Sequence, residues 1–427
     1  MDFIESALSE VPFPRIVKVR QHFDHPVIDN AAKTVREGVE RLSGYHSIKP
    51  GQRIAITGSS RGTDRMVDVL RTVAEMVKER GAHPFVIPAM GSHGGATAEG
   101  QRNMLMELGI TEENVGAPIY ASMDVVLIDH ISDGRPVFVD KYAHEADGII
   151  VVNRVKNHTG FRADYESGLM KMMTIGLGKH RGARYYHSTG FPRMGQTIAE
   201  VGKTVLRDEK ILFGVGLIEN GHGILGNIFC LEPEEIPVLE KDMLKLAHSY
   251  LPRPFFDRSD VLVVQELGKD ISGTGMDSNV IGRYNNDSVQ TPEICYTRIV
   301  ALDLTDHTEG NGNGIGFADY ISDRLYQKLD LKKMYPNVIT SSHPMTARIP
   351  VIIPTDRLTI AAGLRTCLVE EGKQPKIGFI KNTKDLDVVY VSENMLDEAR
   401  ACSHVTIESE PFQIPFSEDG SLSLSFQ

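Results

Sequence analysis

Lys171, His158 and His187 are the side chains whose types and spacing best suit joint chemistry. His158 precedes Lys171 by thirteen residues and His187 follows it by sixteen. Lys171 stands in Gly168 to Gly178, a stretch that is apolar except for itself and Thr174. Desolvation there lowers an amine's pKa and exposes a neutral nucleophile for covalent attachment. The two imidazoles add a metal ligand and a proton carrier. Read singly, each residue has a plainer explanation: a lysine whose stem lies on apolar surface, and histidines satisfied by local hydrogen bonds.

Three loops supply further polar groups. They are Gly58-Ser59-Ser60-Arg61-Gly62, Gly91-Ser92-His93-Gly94-Gly95 and Lys156-Asn157-His158-Thr159-Gly160. Glycine lets backbone N–H groups approach an anion, and a following helix N-terminus adds a favourable dipole. A guanidinium at Arg61 can hold a carboxylate with two parallel hydrogen bonds. One such loop is an ordinary turn between strand and helix; three together point to a site. His93 and His158, on equivalent loops, could flank one substrate carbon from opposite sides, as inversion of a stereocentre requires.

The elements that must position these loops alternate. Arg53 to Thr57 reads as a strand, followed by a helix with apolar Met66, Val67, Leu70, Val73, Ala74 and Val77 at 3.6-residue spacing and a stop at Gly81. Pro84 to Pro88 is a second strand, with a helix capped by Thr97 and ended at Gly109; Gly148 to Val152 and Ile211 to Val215 are the next strands. Strands alternating with helices imply a largely parallel sheet covered on both faces, with ligands at the carboxyl edge. Two prolines in Leu251-Pro252-Arg253-Pro254 mark a hinge. Beyond it, strands are expected at Val261 to Val264, Arg298 to Leu302 and Val388 to Val391, with a helix over Tyr320 to Leu329. The expectation is two α/β domains with largely parallel sheets and an active-site cleft between them: a catalytic domain over 1–254, a second domain over 255–390, and a segment 391–427 that returns to the first domain or forms an edge hairpin.

With 427 residues, 41% of them hydrophobic and 24% charged, the chain has the size and balance of a two-domain globular protein. A net charge of −11 opposes a nucleic-acid surface, which needs clustered Lys and Arg. No apolar run reaches the roughly 20 residues of a membrane span. The opening Met1-Asp2-Phe3-Ile4-Glu5 carries acids where a secretory signal carries bases, so a cytoplasmic location is expected. Cys230, Cys295, Cys367 and Cys402 are far apart and suggest neither a disulfide framework nor a cysteine metal site.

At these residues the sequence resembles the lactate racemases that depend on a nickel-pincer nucleotide. Ser167-Gly168-Leu169-Met170-Lys171 is similar to that family's Ser-Gly-Gly-x-Lys, whose lysine can bind the cofactor covalently, and His187 keeps the spacing of its nickel-ligating histidine. His93, in Gly91-Ser92-His93, and His158, in His-Thr-Gly-Phe, resemble the two catalytic histidines. Ser60-Arg61-Gly62 is similar to the substrate-arginine loop, and Gly273 to Asn279 to a stretch opening the second domain. The resemblance implies Lys171, His187, Ser59, Ser60 and Gly168 at the cofactor, His187 on the metal, and Arg61 with Arg283 on the substrate carboxylate. The cofactor would be pyridinium-3,5-bisthiocarboxylic acid mononucleotide carrying nickel, its thio groups supplying the soft donors that the chain lacks.

The departures lie on the substrate wall. Gly58 replaces an aspartate, Gly94-Gly95 replaces Arg-Pro, and the glutamine and lysine expected after the second-domain motif fall on Gly282 and Asn285. Two glycines beside His93 enlarge that wall, while Asp164, Glu166, Asp277 and Asn279 could bond extra hydroxyls. The expected activity is an isomerase: a racemase or epimerase of a 2-hydroxy acid longer and more polar than lactate, for example an aldonate, with His93 and His158 exchanging acid and base roles. Expected partners are the small-molecule substrate and cofactor-maturation proteins, with no nucleic acid or membrane and a homo-oligomer left open. The alternatives are a zinc hydrolase built on His93, His158 and His187, and a non-catalytic nucleotide-binding protein.

Overall fold

A computed structural model describes residues 3–23, 25–188, 190–285, 289, 293–341, 343–370 and 372–427. The chain divides into two compact units, one formed by His25–Leu251 and the other by Met1–Asp24 with Pro252–Gln427. The first strand, β1 (Ile16–Gln21), lies in the discontinuous unit.

The continuous unit contains β2 (Arg53–Gly58), β3 (His83–Pro88), β4 (Val125–His130), β5 (Pro136–Asp140), β6 (Gly148–Arg154), β7 (Ile211–Glu219) and β8 (Leu225–Leu231). Its sheet runs β3-β2-β6-β7-β8, parallel except for β8, and β4 and β5 form a separate antiparallel ribbon. Successive residues of a strand face opposite ways, so Ile149 and Val151 enter one core while Ile150 and Val152 enter another. Both faces are therefore dry, which explains why these strands read as unbroken apolar runs. Each fully buried Val, Leu or Ile stabilises the unit by about 1.5–3 kcal/mol relative to exposure. The expected helix is Met66–Glu79, burying Val69, Leu70, Val73, Ala74 and Val77. The next, Ala98–Glu107, starts where the Thr97 hydroxyl accepts the Gly100 N–H, and the chain turns beyond it through Gly109 at φ +76°.

The other unit adds β9 (Arg258–Val264), β10 (Cys295–Ala301), β11 (Tyr320–Ser322), β12 (Val351–Ile353), β13 (Ile377–Ile380), β14 (Val388–Ser392) and β15 (Val405–Ile407). Its order is β12-β11-β10-β9-β13-β14-β1-β15. The first five strands are parallel, and the last three alternate. Two details differ from expectation. Residues 3–23, grouped above with the catalytic domain, pack with the C-terminal half, because β1 pairs with β14 in register Ile16↔Ser392 and with β15 in register Val19↔Ile407. Tyr320 to Ser322 is a strand, and the helix follows over Asp323–Gln327 with Ser322 as its cap.

Candidate active site

The parallel β3, β2, β6 and β7 present their carboxyl ends at one edge of the continuous unit. The loop after β2 carries Arg61, the loop after β3 carries His93, and the loop after β6 carries Lys156 and His158. Since β2 lies between β3 and β6, the arginine loop is flanked by a histidine loop on each side. The Ser167 to Lys171 segment is fastened to the same edge: Lys156 donates its N–H to the Ser167 carbonyl at 2.8 Å, and the Asn153 amide donates to the Gly168 carbonyl at 2.8 Å. Lys171 Nζ then lies 5.9 Å from the Phe161 ring, whose centroid is 4.4 Å from that of His158.

Electrostatic couplings link the same side chains. Burial lowers the Lys171 pKa to about 8, with the Arg61 charge as a second cause and Glu166 opposing. His93 is lowered by desolvation against its bond to the Met90 carbonyl, with Arg61 and Lys171 adding to the effect. His158 is pushed well below its usual value by desolvation and then by Lys171, Lys156, His187 and Arg162. Arg61 is lowered by desolvation and by Arg154, although its residue surface stays exposed. Cations thus crowd one edge of an acidic protein, and both imidazoles are neutral at pH 7. Such a site favours an anion.

Two carboxylates that hold this arrangement are buried. Glu166 accepts the His158 N–H at 2.7 Å, the Ala163 N–H at 3.2 Å and Arg162 at 3.3 Å. Glu240, only 1% exposed, accepts the Met170 N–H at 2.8 Å, at the start of the helical turn Leu169–Lys171. Burial pushes the Glu240 carboxyl up to about 8, opposed by the N–H groups of Met170 and Leu169. A Cβ on Gly168 would collide with Glu240 Oε1, which is why glycine stands in the lysine motif. The chain continues through a π-helical turn, Met172–Gly176, a form often found at functional sites. Next comes the helix Lys179–His187, whose last residue is the exposed His187.

A second network steadies the His93 loop. Lys179, fully buried and at φ +54°, donates to the Pro88 carbonyl and to Gln101 Oε1 at 3.3 Å, and pairs with buried Asp140 at 3.0 Å. Gln101 in turn donates to the Gly91 carbonyl at 2.9 Å and the His93 carbonyl at 3.2 Å. None of Lys179, Gln101, Asp140 and Glu240 emerged from sequence reasoning. Glu240 left one signal: it shares the apolar stripe Ile236, Glu240, Met243, Leu244, Ala247, where a carboxylate needs a buried partner.

The sequence profile of a domain of unknown function, DUF362, matches residues 56–227, the span that holds every loop of this site. The lactate racemase apoprotein from Thermoanaerobacterium thermosaccharolyticum is similar in structure, with a TM-score of 0.54 over 86% of this chain and 98% of that one, at 12% identity. The fold is lactate-racemase-like. No curated protein sequence matches the chain.

The described residues give the remaining expected groups the following partners. Among the described residues no group of three or more His, Cys, Asp or Glu side chains is placed to hold a metal ion. The four groups expected to bond substrate hydroxyls are engaged within the protein. Glu166 holds the His158 loop, Asp164 pairs with Lys241 at 2.6 Å, Asp277 accepts from the N–H and side chain of Asn279, and the Asn279 carbonyl accepts from the Tyr284 hydroxyl. Gly94 serves packing, since a Cβ there would lie 2.5 Å from the Gly100 backbone; only Gly95 faces open space. Gly58 is likewise packed, its added Cβ falling 2.9 Å from Leu105. Arg283 lies in the other unit, where it donates to the Phe317 carbonyl at 2.7 Å and pairs with Asp319 at 2.7 Å. Ser59 is buried and donates to the Arg61 carbonyl at 3.2 Å, while Ser60 is partly exposed. Among the described residues no helix is long and apolar enough to cross a membrane.

Proposed function

We propose that the protein is a racemase or epimerase of a 2-hydroxy acid that uses a nickel-pincer nucleotide. The observation that carries this reading is the convergence of Arg61, His93, His158 and Lys171 at one sheet edge, with both imidazoles neutral and the lysine pKa lowered to about 8. The residues fit the cofactor. The cation cluster suits its phosphate, Lys171 offers an amine partly neutral near pH 8, and His187 lies within electrostatic reach of His158 as a single protein ligand. Thr63 Oγ1 and Asn157 Oδ1, on the Arg61 and His158 loops, are buried with no hydrogen-bond partner among the described residues, as expected of groups that meet a ligand.

The C2 hydrogen of a hydroxy acid is too weakly acidic for an imidazole to remove as a proton, so inversion proceeds more easily through the 2-oxo acid. When bound, the nickel-pincer nucleotide supplies hydride acceptance and return. The chain itself orients the carboxylate through Arg61 and takes the hydroxyl proton on an imidazole. The reading extends to a substrate longer than lactate, such as an aldonate, and the open space beside Gly95 in the His93 loop supports it. The test is incubation of cofactor-loaded protein with α-deuterated hydroxy acids from lactate to aldonates. Label retained on carbon in the inverted product is expected; label lost to solvent refutes hydride return, and no inversion of any acid refutes the activity.

A further inference from the structure

The two imidazoles are held by bonds of opposite kind. His93 Nδ1 lies 2.7 Å from the Met90 carbonyl oxygen, which can only accept, so Nδ1 carries the proton and Nε2 is a bare lone pair. His158 Nδ1 lies 3.0 Å from the Gly160 backbone nitrogen, whose N–H can only donate, so Nδ1 is bare and the proton of the neutral ring sits on Nε2. Both rings belong to loops that are fixed from behind. Gln101 binds the backbone on either side of the first, and Glu166 binds the backbone N–H of the second. Neither ring can reverse its tautomer without breaking its backbone bond.

We propose that these histidines are not interchangeable: His93 is the proton acceptor of the site, and His158 is a fixed hydrogen-bond donor that exchanges no proton. This rests on the racemase reading above. In the oxidative half the substrate O–H bond breaks and its proton passes to His93 Nε2, giving the imidazolium; the hydride leaving C2 would be accepted by the nickel-pincer nucleotide that Lys171 and His187 would hold. In the reductive half hydride returns to the opposite face and the same imidazolium returns its proton to the same oxygen. His158 cannot give up its Nε2 proton, because with Nδ1 bonded to an N–H the product would be an imidazolate. It instead donates to the substrate oxygen in both halves. One base then serves both enantiomers: the 2-oxo acid turns its face by rotating about its C2=O bond with the oxygen held between the two rings, and Arg61 releases its carboxylate during that turn.

The assignment is read directly by long-range ¹H–¹⁵N spectra of ¹⁵N-histidine-labelled protein at neutral pH, with the two rings identified from the peaks lost in His93→Gln and His158→Gln. The expected result is Nδ1–H for His93 and Nε2–H for His158. The same tautomer in both rings, or averaging between tautomers at His158, overturns the proposal. Turnover gives the second reading. His158→Phe is expected to lose roughly 100-fold or more and His158→Gln, which restores an N–H donor, to recover to within about tenfold of wild type, whereas His93→Gln loses roughly 100-fold or more with no rescue by an amide. Equal losses in His93→Gln and His158→Gln overturn it. If the wild type inverts no hydroxy acid, the racemase reading falls, while the spectra still decide the opposed tautomers.

Discussion

The amine of Lys171 offers the most direct quantitative test. Its pKa of about 8, against 10.5 for an ordinary lysine, has desolvation as its first cause and the Arg61 charge as its second. At pH 7.5 about a quarter of an amine with pKa 8 is neutral, against about one part in a thousand at 10.5, so attack on an electrophile is favoured roughly 200-fold by neutral population alone. The assay is pulsed acylation of the folded protein across a pH series, with the Lys171 peptide quantified by mass spectrometry against a free lysine derivative in the same tube. Labelling of Lys171 is expected to rise with a midpoint near 8. Arg61→Gln removes a neighbouring positive charge and moves that midpoint upward. A midpoint near 10.5, or no movement in Arg61→Gln, would refute the reasoning that burial beside a guanidinium prepares this amine.

Further outcomes follow from the buried groups. His93 has its pKa lowered from 6.5, so its neutral form persists at pH 7 and is lost only as pH falls through that lowered value; kcat/KM of the loaded enzyme is expected to drop on an acid limb below pH 6.5. Glu240 has its folded pKa raised from 4.5 to about 8, so between those values the folded state holds a proton that the unfolded chain releases. Stability therefore falls as pH rises across that window, and denaturant midpoints of Glu240→Gln are expected to lack that component. Lys179→Met leaves Asp140 buried without its cation and is expected to destabilise the continuous unit by about 3–5 kcal/mol, measured by denaturant unfolding. Gly168→Ala drives a methyl into Glu240 and should cost about 1–3 kcal/mol while slowing Lys171 acylation at pH 7.5.

What the sequence discloses here follows from how local each signal is. Strands β2, β3, β6 and β7 announce themselves because a doubly covered sheet needs continuous apolar runs, and their carboxyl-end loops carry Arg61, His93 and His158 in plain view. The lysine motif is legible because Gly168 and Lys171 lie within one turn. Hidden from such reading is whatever depends on distant pairing. β1 has partners more than 360 residues away, and β11 and β12 are three-residue strands at one end of their sheet, too short for alternation to register. Glu166 shows the same limit at the site: by type it suits a substrate hydroxyl, yet its oxygens are committed to the backbone N–H groups of His158 and Ala163. Likewise, the glycine at 94 is explained by the Gly100 backbone, which sequence proximity alone does not place against it.

The seating of β1 between β14 and β15 has a consequence for biosynthesis. The strand made first is completed last, since Gln21 must await Val405 before its ladder closes. At about 5–20 residues per second, the interval between them is on the order of tens of seconds on the ribosome. During that time the contiguous His25–Leu251 unit can acquire its cores, while an N-terminal strand carrying Ile16, Val17 and Val19 waits unpaired. Nascent chains halted before residue 405 should therefore protect the lysine-bearing unit from protease while leaving Ile16–Gln21 open to cleavage and to chaperone capture.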